Sequence, residues 1–121
     1  PKAVVVIDST LLEAVDVTEG LGDSGVLLVN SSQEPKAIRE KLKFNKGKVA
    51  TVDATKISLE TLGVPMPNTP MLGALIKVMP LVTIDALIDK IKHKFLKNIG
   101  EEKTNANIQG IKRAYEETKI G

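Results

Sequence analysis

Three short apolar runs divide the first half of the chain, at residues 3–7 ("AVVVI"), 25–30 ("GVLLVN") and 48–53 ("KVATVD"). They are rich in β-branched residues and lack the strict alternation of a half-exposed strand. Such runs are typical of parallel strands that are buried on both faces. The pattern predicts strands at 3–7, 26–30 and 49–53, joined in βαβ units.

Apolar residues at helical spacing fill the intervals after these strands. Proline is favoured at a first helical position, aspartate caps helix N-termini, and glycine commonly ends a helix. The predicted helices use Leu11, Leu12 and Val15 after Thr10, then Ile38 and Leu42 after Pro35, then Ile57, Leu59 and Leu62 between Asp53 and Gly63.

The chain after Asn68 shows no strand pattern and is predicted to be wholly helical. Thr83 is a plausible N-cap for an amphipathic helix, and a last helix is predicted over about 101–118. The apolar positions of these two helices are Ile84, Leu87, Ile88, Ile91 and Phe95 in the first, and Ile108, Ile111 and Tyr115 in the second.

A helix predicted over 70–79, with Thr69 as N-cap and Pro70 at its first position, is apolar over more than half of its circumference. A helix of that kind is either interior or faces a partner. We expect one side to pack on the sheet and another to be covered in a complex. Asn68, which this capping scheme does not use, is expected to be exposed as a polar contact.

The composition excludes several classes of function. A net charge of +2, 2% aromatic residues and no tryptophan do not indicate a nucleic-acid-binding protein. No apolar run approaches the roughly 20 residues that span a bilayer, so a cytoplasmic protein without membrane contact is expected. The absence of cysteine and a single histidine, His93, leave no iron–sulfur ligands, zinc cluster or catalytic triad. No catalytic, cofactor-binding or metal-binding residue is therefore predicted.

Polar residues follow each predicted strand, namely Asp8, Asn30 and Asp53. The carboxyl ends of parallel strands form the edge at which open α/β sheets bind ligands. Residues of these types at strand ends also cap helices or shape turns, and Asp53 fits that structural alternative best. Asp8, Asn30 and Asn68 are our candidate contacts to a ligand or partner.

Two other motifs favour structural interpretations. "GLGDSG" (20–25) has the letters of a dinucleotide fingerprint, but it precedes a strand instead of following one, which favours a helix-to-strand turn with glycines at positive φ. In "KIKHKFLK" (90–97), Lys90, His93 and Lys97 fall opposite the apolar stripe and form the solvated face of the helix.

Three longer segments carry a family resemblance, at residues 8–30, 50–78 and 107–117. Their most specific parts are "LLE…VDVTEGL", "VDATKI" and "NTPMLGAL". They resemble the gamma subunits of the 2-oxoacid:ferredoxin oxidoreductases, most closely those of pyruvate synthases, and the resemblance extends over essentially the whole chain.

The resemblance implies an accessory subunit of an enzyme that converts pyruvate and coenzyme A to acetyl-CoA, carbon dioxide and reduced ferredoxin. It implies alpha, beta and delta subunits as partners, with thiamine diphosphate on alpha and beta and iron–sulfur clusters on the delta or ferredoxin-like portion. The gamma subunit is associated with assembly and coenzyme A access.

The chain departs from the family at its start, where the usual N-terminal strand and glycine-rich turn are absent. We expect residues 1–121 to form a single α/β domain that is the C-terminal portion of such a subunit, Rossmann-like, with a short mostly parallel sheet and a helical C-terminal half. The alternative is a free-standing nucleotide- or acyl-CoA-binding module, motivated by Asp8 and Asn30.

Overall fold

A computed structural model of the chain describes residues 3–8, 10, 21–22, 24–44 and 46–121. Its strands are Ala3–Val6 (β1), Val26–Asn30 (β2), Lys48–Val52 (β3) and Lys119–Ile120 (β4). Its helices are Pro35–Leu42 (α1), Ala54–Thr61 (α2), Asn68–Val78 (α3) and Ile84–Glu117 (α4). The helix predicted from Leu11, Leu12 and Val15 lies outside the described residues.

The strands form one sheet in the order β1-β2-β3-β4. The first three are parallel neighbours, with Val5 beside Leu28 and Leu28 beside Ala50. The α/β class and the three predicted strands are therefore confirmed.

The prediction of a wholly helical second half is wrong at its end, because β4 pairs antiparallel with β3. Gly121 and Val49 exchange backbone hydrogen bonds of 2.9 and 3.3 Å. The Arg39 side chain also donates to the carbonyl oxygens of Gly121, Phe44 and Gly47, at 2.8, 3.2 and 2.7 Å respectively. This arginine holds the last strand beside the loop that leads into β3.

Strand burial depends on position in the sheet. All five residues of β2 are buried, as expected for an interior parallel strand. The prediction that the first strand is buried on both faces is wrong: Val6 is buried, but Val5 is 38% exposed. Among the described elements, β1 lies at one end of the sheet, and α3 packs on β2 and β3.

Apolar side chains cover both faces of the central strands. Leu27 and Val29 of β2 join one cluster, and Leu28 between them joins another, as strand alternation requires. The first cluster contains Val6, Leu21, Leu27, Val29, Ile38, Phe44 and Val49. The second contains Leu28, Ala50, Val52, Ala54, Ile57, Met71, Ala74 and Ala114.

Helix α4 consists of two arms, 84–99 and 101–117, separated by Gly100. Gly100 has φ 82° and ψ 172°, a combination that glycine tolerates and other residues rarely adopt. The two predicted helices are confirmed, and their arms pack on each other through Ile91, Ile108 and Ile111. Lys90, His93 and Lys97 are exposed, as predicted for the solvated face.

The apolar circumference of α3 is explained mainly by contacts within the chain. Met71 and Ala74 pack in the second cluster on the sheet. On another side, Gly73 lies against the backbone of Ile111 in the second arm of α4. α4 therefore covers that side, and coverage of a further side of α3 in a complex stays a prediction. Leu72 is 38% exposed.

The predicted helix boundaries are partly confirmed. Asp53 caps α2 by accepting from the Lys56 N–H at 3.1 Å, and Thr83 caps α4 by accepting from the Ala86 N–H at 3.0 Å. The capping scheme for α3 is wrong: the helix begins at Asn68 and has no side-chain cap, so Thr69 and Pro70 both lie within its first turn. Proline is tolerated there because first-turn N–H groups lack helical acceptors.

Two further local predictions have mixed outcomes. Gly63 ends α2 with φ 81°, as predicted, but Leu59, which was assigned to the buried face of that helix, is 48% exposed. In the "GLGDSG" segment, Gly25 donates to the Gly22 carbonyl at 3.0 Å in a turn just before β2. Neither of these two glycines has a positive φ.

The contact between α3 and α4 predicts unequal effects of two glycine substitutions. A Cβ at Gly73 would lie under 3.0 Å from the Ile111 carbonyl oxygen, which is backbone and cannot move aside. We expect Gly73→Ala to lower the free energy of unfolding by at least about 2 kcal/mol, as overpacking does. The change is measured by urea denaturation.

Gly110→Ala is the matched control on the opposite helix. The atoms nearest to its Cβ would belong to side chains, Pro70 Cγ and Thr61 Oγ1 both at 3.3 Å and Ile57 Cγ2 at 3.8 Å. The intrinsic helix preference for alanine over glycine, about 1 kcal/mol, offsets that crowding, so we expect a change below about 1 kcal/mol. Equal losses for the two variants would contradict this account of the crossing.

Candidate functional site

A cleft of about 650 Å³ lies at the carboxyl edge of the parallel strands. It brings together the loops that follow β1, β2 and β3 with the segment that leads into α3. The lining residues are Ile7, Asp8, Asn30, Ser31, Ser32, Gln33, Asp53, Thr55, Pro65 and Pro67. This edge is where open α/β sheets usually bind their ligands.

Asn30, the last residue of β2, lies at the centre of the cleft's hydrogen bonds. Its amide nitrogen donates to the Ile7 carbonyl at 3.0 Å and to the Thr55 hydroxyl at 2.8 Å. Its amide oxygen accepts from the backbone N–H of Ala54 at 2.9 Å and, more weakly, of Thr55 at 3.4 Å. The residue is 9% exposed, and its side chain connects the end of β1 to the start of α2.

Asp8 occupies the exposed rim of the cleft after β1. Its Oδ1 accepts from the Thr10 hydroxyl at 2.7 Å and from the Thr10 N–H at 3.0 Å, the geometry of an Asx turn. These two hydrogen bonds, the hydroxyl first, lower the pKa of the Asp8 carboxyl. The side chain is therefore a carboxylate at neutral pH.

The backbone N–H groups at the start of α2 already have hydrogen-bond acceptors within the chain. The N–H groups of Ala54 and Thr55 donate to Asn30, and that of Lys56 donates to Asp53. A helix N-terminus attracts phosphate when such N–H groups are available to it. Here they are occupied, and none of the described residues that line the cleft is Lys, Arg or His. The described part of the cleft therefore offers an anionic phosphate neither unoccupied N–H groups of α2 nor a basic side chain.

Asn68 lies outside the group that lines this cleft. It is exposed at the first position of α3, and it makes no side-chain cap. The structure thus brings Asp8 and Asn30 into one cleft and places Asn68 beyond Pro67, on the adjacent surface. The contact function assigned to these three residues stays a prediction.

Several lining residues were not identified from the sequence. Ser31, Ser32 and Gln33 follow Asn30 directly, so the rule that placed Asn30 at the sheet edge could have extended to them. Pro65 and Pro67 could not be found in this way, because they reach the cleft from a segment that follows α2. Between and beside these prolines, Met66 is 58% exposed and Val64 is 44% exposed.

The described residues contain no group of three or more His, Cys, Asp or Glu side chains placed to hold a metal ion. Over the same residues, no helix combines the length and apolar character that crossing a membrane requires. His93 is 78% exposed on the first arm of α4, and its Nδ1 lies 2.8 Å from the Asp89 carbonyl oxygen. It does not contribute to the cleft.

Comparison with known proteins connects this chain to a family. The model of the pyruvate ferredoxin/flavodoxin oxidoreductase family matches residues 1–117. The chain belongs to this family. The resemblance found in the sequence is thereby confirmed.

Curated relatives within the family match almost the whole chain. The common gamma subunit of the pyruvate/ketoisovalerate oxidoreductases of Pyrococcus furiosus is 44% identical over 99% of this chain and 63% of its own length. The pyruvate synthase subunit PorC of Thermotoga maritima is also 44% identical, over 98% of this chain and 61% of its own length. The chain thus spans less than two thirds of the length of these relatives.

A solved structure shares the fold. The crystal structure of the pyruvate oxidoreductase subunit PORC from Thermotoga maritima superposes with a TM-score of 0.86 at 42% sequence identity. The match covers 98% of this chain and 64% of that chain. The mostly parallel sheet and the long C-terminal helices are therefore a family architecture.

The hydrogen bonds to Asp8 predict the effect of substitution at Thr10. Thr10→Val removes the hydroxyl donor and should raise the pKa of Asp8 toward its ordinary value, whereas Thr10→Ser keeps the donor and should leave the pKa low. The pKa is measured by following the Asp8 carboxyl carbon by NMR during a pH titration.

The sign of the linkage follows from the lowered pKa. Because the folded-state pKa lies below the unfolded one, the turn contributes stability above the unfolded value and loses it as pH falls through the folded value. An unchanged Asp8 pKa in Thr10→Val would show that the hydroxyl does not hold the carboxylate.

Proposed function

We propose that this chain forms part of the accessory gamma subunit of a 2-oxoacid:ferredoxin oxidoreductase. The whole enzyme converts pyruvate and coenzyme A to acetyl-CoA, carbon dioxide and reduced ferredoxin, and this subunit acts by contact. The observation that carries the proposal is the 44% identity to a gamma subunit over 99% of this chain. We propose that residues 1–121 correspond to the C-terminal portion of the subunit.

The chemistry of the described residues supports a role without catalysis. A general base or nucleophile needs a partner group within hydrogen-bond reach in a protected site. The carboxylates of the cleft, Asp8 and Asp53, instead accept hydrogen bonds from the turn and the helix start beside them. The resemblance to gamma subunits implies that the alpha and beta subunits hold thiamine diphosphate and the delta subunit holds the iron–sulfur clusters, and we propose that the complex is cytoplasmic.

The surface around the cleft supports contact with a protein. The polar loop residues 31–33 lie on one side. On the other lies a segment with Val64 exposed just before Pro65 and Met66 exposed between Pro65 and Pro67. Protein interfaces combine exposed apolar side chains of this kind with polar ones. We propose that partner subunits cover this surface, and that the subunit influences coenzyme A access through the assembled complex.

The alternative of a free-standing nucleotide- or acyl-CoA-binding module receives less support. Such a module holds the phosphates of its ligand on unoccupied backbone N–H groups or basic side chains. The N–H groups at the start of α2 are occupied by Asn30 and Asp53, and the cleft is lined by two carboxylates.

The proposal predicts the behaviour of the protein alone and in the complex. The purified full-length protein should show no visible absorbance from a cluster and no pyruvate-dependent dye reduction. Coexpressed with alpha, beta and delta subunits, it should copurify with them in fixed stoichiometry, as identified by mass. Turnover by the isolated protein, or failure to copurify with those subunits, would contradict the proposed function.

Asn68→Ala tests the predicted contact at the start of α3. Because Asn68 is exposed and caps nothing, the free energy of unfolding should change by less than about 0.5 kcal/mol. Loss of a buried interfacial contact should nonetheless weaken assembly about fivefold, equivalent to about 1 kcal/mol. Both quantities are measured, by urea denaturation and by titration of the partner subunits.

Asn105→Ala is the matched control, since Asn105 is also an exposed helical asparagine and lies on the second arm of α4. It should change neither quantity. If Asn68→Ala unfolds the protein while the surviving complex assembles normally, Asn68 is a structural residue and the contact assignment is wrong.

A further inference from the structure

Asn30 occupies an unusual position among the residues of the cleft. Apart from Thr55, whose hydroxyl accepts from Asn30, the other polar lining side chains with described hydrogen bonds bond within their own loop or helix, as Asp8 does with Thr10 and Asp53 with Lys56. Asn30 instead bonds to two elements other than its own, the end of β1 and the start of α2. It spans 23 residues of sequence in one direction and 24 in the other.

The two halves of the Asn30 amide perform different tasks. The oxygen accepts hydrogen bonds from the N–H groups at the start of α2. It therefore caps this helix from the end of β2. The nitrogen uses its two hydrogens on the Ile7 carbonyl and the Thr55 hydroxyl. An amide supplies two donors on one atom and an acceptor on the other, so asparagine fits both tasks at once.

We propose that Asn30 is a positioning residue that fixes the end of β1, and with it the Asp8 rim, against α2. This inference rests on the proposed function, in which the cleft rim contacts a partner subunit. Asn30 acts through Ile7 and Thr55, and the residues available to contact the partner are those of the rim.

The exposure of β1 makes the hydrogen bond from the Asn30 amide to the Ile7 carbonyl important, and we call this bond the tether. β1 lies at the end of the described sheet. Val6 packs in the first cluster, but Val5 and Ile7 on either side of it are 38% and 41% exposed, so side-chain packing holds this end of the strand through one face only. The hydrogen bond from Asn30 to the Ile7 carbonyl is 3.0 Å long and sits one residue before Asp8. Loss of this bond should release the rim while the interior strands stay in place.

Two nearly isosteric substitutions separate the tether from the cap. Asn30→Asp keeps an oxygen for the Ala54 N–H but replaces the donor to Ile7 by an acceptor, so it should release β1. Thr55→Val removes the hydroxyl that accepts from Asn30 but leaves the bond to Ile7, so it should retain β1. Thr55→Ser restores the hydroxyl and controls for the second variant.

Hydrogen exchange in the full-length protein tests the positioning directly. In Asn30→Asp, amides of β1 should exchange about fivefold faster, as expected for loss of one hydrogen bond. The Ala54 amide should remain protected within about twofold, because a carboxylate oxygen still accepts its hydrogen bond. In Thr55→Val and Thr55→Ser, β1 should exchange within about twofold of wild type, since their tether is intact. Unchanged β1 exchange in Asn30→Asp would overturn the proposal.

A second measurement tests the link to assembly, at a temperature well below the unfolding transition of every variant. The dissociation constant for the purified alpha, beta and delta subunits should rise at least threefold in Asn30→Asp, and stay within about twofold of wild type in both Thr55 variants. If Asn30 were merely structural, Asn30→Asp would lower the melting temperature of the protein and leave this dissociation constant unchanged. That result would overturn the proposal; failure of the wild-type protein to bind would instead reject the proposed function.

Discussion

The close approach of α3 to the second arm of α4 is the constraint on which the rest of the structure depends. The two helices meet where Gly73 lies directly against the backbone of Ile111, and Gly110 lies beside Pro70. Helices can approach this closely only where a side chain is absent from the contact. Because α3 is held between this arm and the sheet, it covers β2 and β3 with Met71 and Ala74.

The same contact sets the geometry of the candidate site. The second arm of α4 leads directly into β4, which pairs with β3 and is held by Arg39. At its other end, α3 begins at Asn68, so its placement fixes the preceding segment whose prolines form one wall of the cleft. The site is therefore built from loops whose positions are determined by packing elsewhere in the chain, and a contact function is consistent with that construction.

The sequence predicted the parts of the fold that depend on local pattern. The continuous apolar runs identified the three parallel strands, and Asp53, Thr83 and Gly63 correctly marked helix ends, because capping and turn chemistry act within a few residues. The break at Gly100 separates two apolar stripes that were recognised independently. The rule that ligands bind at the carboxyl ends of parallel strands pointed to Asp8 and Asn30, and the structure places both residues in one cleft at that edge.

The remaining features depend on partners that are distant in sequence. Val5 is exposed because β1 lies at one end of the described sheet, and strand order cannot be read from the composition of one strand. Two residues of β4 are too few for a recognisable pattern. The role of Gly73 at the helix crossing depends on its contact with Ile111, which is distant in the sequence. The four hydrogen bonds of Asn30 likewise join residues more than 20 positions apart.

The central claim is that this protein acts by contact, through the surface formed by the cleft rim and the segment before α3. The most direct test is a hydrogen-exchange footprint of the full-length protein with and without purified alpha, beta and delta subunits. The account predicts that the subunits slow exchange at residues 31–33 and 64–72, with little change on α1. Protection confined to α1 and the opposite face of the sheet, with none at the cleft, would contradict it.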